Sequence, residues 1–311
     1  MIKKTFLLHV ILGVFLTAAI ANSKVYDCFM FFNEIELLKM RLEELDPVVD
    51  YFVLVESIET QRGDGKPLYF NDNRQHFEKY LNKIIHVIVD ERHPEMDLWG
   101  RENFQRNCIA RGLQYCNSSD LVIVSDLDEI PRPGLIQELV KTVPERNERL
   151  LEKGKDKKFK KHNKNKNSPS KAEKMFYLNG ARAFEMSIYF FQLNRQTHNG
   201  ESWGGGTWVG TVVTTYGMVK KFGVQHFRDY RWKFPKISNG GWHFTWMGGK
   251  DKIRKKIGSI VEGHPYGESI PDEELDRWIN HHPVVPIDES FPGYVQRNFD
   301  YLKSLGFVAA D

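Results

Sequence analysis

Near its middle the chain reads Leu121-Val122-Ile123-Val124-Ser125-Asp126-Leu127-Asp128-Glu129-Ile130-Pro131, and this stretch predicts the centre of the fold. Its first four residues are apolar and mostly β-branched, a composition typical of a buried strand in a parallel sheet. Three carboxylates follow within four residues, and the segment then stops at a proline. Ligands of open α/β sheets bind beyond the carboxyl ends of the strands, which is where these acids are expected to emerge.

The Asp-Leu-Asp-Glu segment has two interpretations. Three carboxylates this close repel one another unless a cation lies among them, and a set of oxygen ligands suits Mg²⁺ or Mn²⁺. Such ions usually keep coordination positions for water and for substrate phosphate. The alternative is a solvated acidic turn in which Asp126 helps to cap the next helix. From this segment alone, both interpretations remain open.

The sequence before this stretch predicts three more strands of the same sheet. Val25–Phe31, Tyr51–Val55 and Ile84–Val89 are short apolar runs, and residues 34–45 and 98–116 show helical spacing of apolar side chains. This order of strands and helices is typical of a nucleotide-binding α/β half. We therefore predict an α/β fold with a mainly parallel central sheet and helices on both faces.

Polar side chains follow three of these strands. Asn33 follows the first strand, Glu56 the second and Asp126 the fourth. Because the carboxyl ends of parallel strands meet at one edge of a sheet, their recurrence favours a ligand site over separate helix caps. We predict that Asn33 and Glu56 contact a nucleoside. Arg101 and Arg106, near the start of the helix at 98–116, are predicted to bind phosphate through charge-assisted hydrogen bonds.

The second half of the chain is rich in tryptophan and glycine. The stretch 239–249 contains Trp242, His243 and Trp246 between two pairs of glycines, and Trp208 lies upstream. Sugars stack their apolar C–H faces on exposed indole rings, as other ligands use aromatic platforms. Trp208, Trp242 and His243 are therefore candidate acceptor-binding residues, whereas Trp246 is expected in the core.

Residues 145–174 form a lysine-rich insertion. Within it, residues 152–174 hold ten lysines against three acidic residues, a net charge of +7, which leaves about −4 for the rest of a chain whose total is +3. So few apolar residues predict disorder, because burial cannot repay the entropy of ordering. Outside the insertion, basic residues are not concentrated as nucleic-acid binding requires, so no nucleic-acid partner is expected.

Residues 1–21 have the layout of a secretory signal peptide. Lys3 and Lys4 precede an apolar run, and Ala19-Ile20-Ala21 provides small residues for cleavage after Ala21. The alternative is an uncleaved signal-anchor through residues 5–21, which would be the chain's contact with a membrane. In either case the domain at 24–311 is expected in the lumen of the secretory pathway, outside the cell or at the cell envelope.

Six motifs in order along the chain resemble glycosyltransferase family 17. They are Tyr26–Glu34, Phe52–Ser57, Lys66–Phe70, Arg101–Asn107, Ser125–Pro131 and Gly240–Phe244. The resemblance implies a single GT-A-type domain, a nucleotide-sugar donor (UDP-GlcNAc in the typical member), Mn²⁺ or Mg²⁺, and inversion at the anomeric carbon. It also implies a glycan or glycoprotein acceptor, and it places the metal-binding Asp-x-Asp motif on Asp126 and Asp128.

Three further roles follow from such a reaction. Inversion needs a general base within reach of the acceptor hydroxyl, and Glu185, Asp229 and Glu262 are the candidates in the second half of the chain. Glu129 is expected to orient the metal loop rather than to act as base. His264 is a candidate metal or diphosphate ligand, although the family pattern around it is matched only at the histidine.

Two other functions remain open on the sequence alone. One is a carbohydrate-binding, inactive homologue that uses only the tryptophan-rich half. The other is a metal-dependent phosphohydrolase or nucleotidyltransferase, which also uses paired aspartates after a strand. The latter class would need further acids or histidines in fixed motifs, and the sequence does not contain them.

Overall fold

The computed structural model describes residues 23–153, 177–197, 206–261 and 267–309. The strands are β1 (Val25–Phe31), β2 (Tyr51–Ser57), β3 (Ile84–Val89), β4 (Leu121–Asp126), β5 (Glu129–Pro131), β6 (Arg182–Phe190), β7 (Thr207–Thr215), β8 (Lys236–Ile237) and β9 (Gly241–Thr245). They form a nine-stranded sheet in the order β3-β2-β1-β4-β7-β6-β9-β5, with β8 paired to β6.

Ten α-helices accompany the sheet in the described parts of the chain. They are α1 (Ile35–Leu45), α2 (Tyr69–Asp72), α3 (Leu98–Asn107), α4 (Pro133–Lys153), α5 (Tyr216–Phe222), α6 (Val224–Asp229), α7 (Lys250–Ile257), α8 (Asp272–His281), α9 (Gly293–Arg297) and α10 (Phe299–Ser304). Short 3₁₀ segments lie at Arg74–Tyr80, Cys108–Leu113, Tyr177–Gly180, Arg231–Lys233 and Gly267–Ser269.

The first half of the sheet is parallel, as the sequence predicted. β1 pairs in parallel with both β2 and β4, and β2 pairs in parallel with β3. The register places Met30 of β1 beside Asp126 of β4, so the acidic segment begins where these two strands end. The second half is mixed, because β7 runs antiparallel to β4 and β6, while β9 runs parallel to β6.

Apolar residues cover both faces of the sheet. Alternate residues of a strand point to opposite faces. Phe29 and Phe52 accordingly pack with Leu38 of α1 in one core cluster, whereas Cys28 and Val53 belong to a second cluster. Since strands buried on both faces read as continuous apolar runs, this packing explains the composition of β1, β2 and β4. The predicted α/β fold, with a mainly parallel sheet and helices on both faces, is confirmed.

One helix is longer than the sequence predicted. The apolar run after Pro133 predicts a short helix to Val140, but α4 continues to Lys153 and includes the first nine residues of the predicted insertion at 145–174. Asn147 is buried within it and donates from Nδ2 to the carbonyl of Gly180 at 2.7 Å, which anchors the extra turns. Residues 154–174 of the insertion lie outside the described parts of the chain.

The predicted N-terminal membrane contact also lies outside the described residues, since it falls on residues 1–21. Within the described ranges, no helix combines the length and the apolar character needed to cross a membrane. The structure therefore leaves the signal peptide and the signal-anchor as predictions.

Candidate functional site

A cavity of about 1030 Å³ lies at the carboxyl edge of the parallel strands. Its volume is at the top of the range of about 300–1,000 Å³ that small-molecule sites usually occupy. Phe32 after β1, Asp126 at the end of β4 and Asp128 just beyond it line the cavity, together with residues of α3, α6, α7 and α8. Asp126 and Asp128 of the acidic segment therefore face a cavity rather than bulk solvent.

Asp126 lies between two guanidinium groups. Its Oδ1 is 3.1 Å from Nη2 of Arg106 on α3, and its Oδ2 accepts a hydrogen bond from Nη2 of Arg228 on α6. Burial opposes ionisation of this carboxyl, but the two arginines outweigh it and hold the pKa of Asp126 below its usual range. Arg106 is thus placed at the acidic segment, as the sequence predicted.

Asp128 is paired with a lysine from the second half of the chain. Nζ of Lys256 on α7 lies 2.9 Å from Oδ2 of Asp128 and 3.4 Å from Oε1 of Glu34, and Nε2 of His243 lies 3.6 Å from Oδ1. Burial opposes the charge on both partners. Their mutual attraction nevertheless lowers the pKa of Asp128 well below, and raises the pKa of Lys256 above, the ordinary values.

Glu129 connects the acidic segment to the second half of the sheet. Its Oε2 accepts from the backbone N–H of Asp126 at 3.1 Å, and its Oε1 accepts from Nε1 of Trp208 at 2.6 Å. Arg228 also donates from Nη1 to both oxygens, at 2.8 and 3.0 Å. This geometry suits the orienting role expected for Glu129. Gly210 of β7 leaves the necessary room, because a Cβ there would collide with the Glu129 carboxylate.

Arg41 of α1 supports the same segment from the protein interior. Its guanidinium is completely buried and binds both carboxylate oxygens of Asp27, at 2.6 and 2.7 Å. It also donates to the carbonyls of Asp126, Leu127 and Glu129, at 3.0, 3.0 and 2.8 Å. Sequence reasoning missed this residue. The available signals were an arginine within the apolar stripe of α1 and an aspartate inside the apolar strand β1.

Three predicted donor-binding residues do not line the cavity. Glu56 is completely buried, and its two oxygens bind the N–H of Phe70 and Nε2 of His86, so the predicted nucleoside contact is wrong for this arrangement. Arg101 donates to backbone carbonyls of the loops before α3 instead of facing the site. Asn33 lies between two cavity-lining residues but is not one of them.

The predicted roles of two tryptophans are exchanged. Trp242 is buried, and its Nε1 donates to the carbonyl of Ser290 at 2.9 Å, so it cannot receive an acceptor. Trp246, expected in the core, is half-buried and lines the cavity. Because strand residues alternate in direction, Trp242 and His243 cannot both face the same side. His243 does line the cavity and stacks on Trp208 with ring centroids 5.1 Å apart.

The candidate bases differ in position. Asp229 at the end of α6 lines the cavity and accepts a hydrogen bond from Nε2 of Gln225 at 2.9 Å. Glu185 of β6 does not line the cavity and accepts from Oγ of Ser238 at 3.1 Å, so the structure does not bring it to the site. Glu262, the third candidate base, and His264 lie outside the described parts of the chain.

A divalent cation at the end of β4 would be held chiefly through Asp128. Asp128 lines the cavity, and Nε2 of His243 lies 3.6 Å from its Oδ1, beyond ordinary hydrogen-bond distance. Both oxygens of Asp126 have arginine partners. Over the described ranges, no group of three His, Cys, Asp or Glu side chains could hold a metal ion. Such a cation would therefore need substrate phosphate to complete its coordination, as is usual for Mg²⁺.

Comparisons with known proteins agree with the resemblance. Residues 16–150 match the model of glycosyltransferase family 17. The human β-1,4-mannosyl-glycoprotein 4-β-N-acetylglucosaminyltransferase is 33% identical over 113 residues, which are 33% of this chain and 21% of the human protein. The aligned segment therefore spans about a fifth of that relative's length.

Two solved structures share a weaker likeness. A mycobacterial protein has a TM-score of 0.35 and 13% identity, covering 83% of this chain and 79% of its own. Glucosyl-3-phosphoglycerate synthase from Mycobacterium tuberculosis, solved with Mn²⁺ and UDP-glucose, has a TM-score of 0.30 and 12% identity, covering 91% and 94%. The resemblance that the motifs indicated is confirmed by the family match: residues 16–150 of this chain match glycosyltransferase family 17.

Proposed function

We propose that this chain is a glycosyltransferase that moves a sugar from a nucleotide-sugar donor to a glycan or glycoprotein acceptor. The observation that carries the proposal is the group formed by Asp126, Asp128, Arg106, Arg228 and Lys256, called here the charged end of the cavity. Charge-assisted hydrogen bonds from arginine and lysine are the usual means of binding phosphate. A diphosphate at the end of β4 would meet three cations there.

The nucleoside is proposed to lie on the side of β1 to β3. Ligands of open α/β sheets bind at the point where the strand order reverses, which in this sheet is the junction of β1 with β4. Phe32, Gln61, Lys66 and Trp99 line the cavity on that side. These residues replace Asn33 and Glu56 as the proposed nucleoside contacts.

The donor is proposed to be UDP-GlcNAc. The family resemblance implies it, and the human relative is by name an N-acetylglucosaminyltransferase. Mn²⁺, or Mg²⁺ in its place, is proposed as the cofactor, with Asp128 as its main ligand and Asp126 beside it. When bound, the ion would neutralise charge that develops on the leaving diphosphate.

The chain's own residues supply the remaining parts of the proposed mechanism. Lys256 and Arg228 stand beside the two aspartates and are placed to donate hydrogen bonds to the leaving phosphate. Glu129 holds Arg228 and the backbone of Asp126 in position. Asp229, the candidate base that lines the cavity, is proposed to accept the acceptor's proton in an inverting displacement.

The proposed location is the lumen of the secretory pathway, the cell surface or the extracellular space. The signal-like residues 1–21 support it. Expression of the full chain in a secretory host, followed by sequencing of the mature N-terminus, would separate cleavage after Ala21 from a retained anchor.

A donor screen tests the proposed function. Purified protein with Mn²⁺ would be incubated with UDP-, GDP- and CMP-sugars and a mixture of glycans, and released nucleotide measured. We expect release from UDP-GlcNAc, and a loss of about 100-fold or more in Asp128→Asn, because an electrostatic contribution of several kcal/mol disappears.

A carbohydrate-binding protein without activity would give a different result. It would release no nucleotide from any donor, and its affinity for sugars would be the same in Asp128→Asn. That outcome would overturn the proposed function.

A further inference from the structure

A wall of aromatic side chains lines the cavity in addition to the charged end. Phe190, Phe191, Trp246, Trp278 and His282 form this wall, called here the aromatic end. Phe190 closes β6, Trp246 follows β9, and Trp278 lies on α8. All five residues come after residue 150, where the family match stops. Nothing in that match assigns a role to them.

These rings are not simply core residues. Trp246, Trp278 and Phe190 pack on one side against a small cluster formed by Phe191, Ile253, Ile257, Ile270 and Leu275. All three remain half-buried and contribute to the cavity surface. A ring with one face on the core and part of its surface in a cavity is suited to stacking on a ligand.

Contacts with neighbouring side chains hold the rings of Trp278 and Phe190 in position. Nε1 of Trp278 donates to Oε1 of Glu274 at 2.8 Å. The ring of Phe190 stacks on His282, with centroids 4.9 Å apart and planes 9° from parallel. Rings that are already oriented lose little conformational freedom when a ligand binds.

The backbone at the aromatic end is strained at two positions. Phe191 has φ +67° and Trp246 has φ +63°, a conformation that bulky residues rarely adopt. Both directly follow paired strands, and the N–H of Phe191 donates to the carbonyl of Thr245 at 3.1 Å. Such strain persists where the surrounding structure imposes it, and it clusters at functional sites.

The sheet order places the aromatic end on the other side of Asp126 and Asp128 from the proposed nucleoside. β1, β2 and β3 lie on one side of β4, whereas β7, β6 and β9 lie on the other. A diphosphate at the end of β4 with its nucleoside toward β1 to β3 directs the transferred sugar toward β6 and β9. An acceptor must approach that sugar from the same side.

We propose that the aromatic end is the acceptor subsite and that it binds a pyranose ring of a neutral glycan. The C–H face of the ring would stack on Trp246 and Trp278, replacing the predicted contact with Trp242. Glu274 and Arg277 line the cavity beside Trp278 and form an ion pair without net charge, which suits hydroxyl groups rather than an anion or a cation. This inference rests on the proposed glycosyltransferase function for the identity of the subsite.

Saturation-transfer NMR without nucleotide tests the inference. The probes are the neutral pentasaccharide core of N-glycans and the methyl glycosides of mannose, galactose and N-acetylglucosamine. We expect the wild type to bind at least one of them, and Trp278→Ala and Trp246→Ala to weaken that binding by about tenfold or more. Trp278→Phe and Trp246→Phe keep an aromatic ring and are expected to keep most of the glycan affinity. Such a recovery would show that the alanine variants lose affinity through the missing ring and not through a folding defect.

Tyr115→Ala is the control, because Tyr115 is an exposed aromatic residue that does not line the cavity. Its glycan affinity is expected to equal that of the wild type. If the wild type binds none of the glycans, or if the alanine variants bind them unchanged, the inference is wrong.

A UDP titration of the same variants separates the two proposals. Trp278→Ala is expected to keep its UDP affinity within about twofold of the wild type. If that affinity falls while glycan binding is retained, the aromatic end holds the nucleoside and the inference is overturned. If glycans bind but UDP does not bind the wild type, the glycosyltransferase proposal fails while the sugar subsite stands.

Discussion

The two ends of the cavity are held in place by different forces. At the charged end, carboxylates and cations bind one another in a buried network, and Arg41 secures the backbone beneath it. At the aromatic end, the rings rest on a few aliphatic side chains and on strained backbone. The contrast indicates that substitutions behind the charged end should strongly lower the free energy of unfolding. Substitutions at the aromatic end should change binding with little loss of stability.

Removal of Arg41 is the strongest test of this contrast. Arg41→Met would leave Asp27 buried without its partner and would remove the arginine's hydrogen bonds to three carbonyls. We expect the free energy of unfolding to fall by about 3–5 kcal/mol, as measured by urea denaturation. The control is Arg297→Met, which breaks an exposed ion pair with Glu43 and is expected to cost at most about 1 kcal/mol. Equal losses in the two variants would show that the buried network contributes nothing special.

Gly210 tests how tightly Glu129 is enclosed. In Gly210→Ala the new methyl group would meet the Glu129 carboxylate and the Trp208 indole. We expect a loss of about 1–3 kcal/mol in the free energy of unfolding, because neither side chain has room to move. Gly134→Ala in α4 adds the same methyl group where no atom lies within 4 Å, and its effect should be within about 1 kcal/mol. A mild effect at Gly210 would mean that Glu129 is loosely held.

The Asp128–Lys256 pair predicts a pH dependence. The lowered pKa of Asp128 stabilises the fold above its unfolded pKa of about 3.9, and this contribution is lost as the pH falls through the folded value. The raised pKa of Lys256 contributes stability below about pH 10, which is lost as the pH rises through the folded value. The difference in melting temperature between wild type and Lys256→Met should therefore be constant from pH 5 to about 9 and shrink below about pH 4. A difference that changes between pH 5 and 8 would contradict this.

The aromatic end should show the smallest change in stability. Trp278→Phe removes the hydrogen bond to Glu274 but keeps a ring against the small core. We expect a loss below about 1.5 kcal/mol in the free energy of unfolding. A loss as large as that of Arg41→Met would remove the contrast between the two ends.

The sequence predicted the parts of the site that depend on strands. Continuous apolar runs predicted the positions of β1 to β4. Because ligands bind at the carboxyl ends of parallel strands, Asp126 and Asp128 could be predicted at the site. Arg106 was found because its helix leads directly into β4. These features depend on local composition and on topology, and both are readable from sequence.

The remaining parts depend on contacts between distant segments. Lys256 lies 128 residues from Asp128, and Arg228 lies 102 residues from Asp126. No pattern in the sequence indicates that residues so far apart along the chain are in contact. Glu56 was assigned to the site because it ends a strand, but the direction of its side chain is set by bonds to Phe70 and His86. The predicted positions of Trp242 and Trp246 were exchanged because the sequence of β9 does not show which of its alternate residues face the cavity. The pairing of β9 with its neighbouring strands decides this.

The binding of UDP to two neighbouring lysine variants shows whether the charged end binds a diphosphate. Lys256 contacts Asp128, whereas Lys255 on the same helix is exposed and lies 3.7 Å from Glu268. Calorimetric titration with Mn²⁺ should show that Lys256→Met weakens UDP binding by about 10–100-fold, the value of a hydrogen bond to a charged group, while Lys255→Met stays within about twofold. Uridine, which has no phosphate, should bind all three proteins alike. If Lys256→Met binds UDP as the wild type does, the charged end is not a diphosphate site.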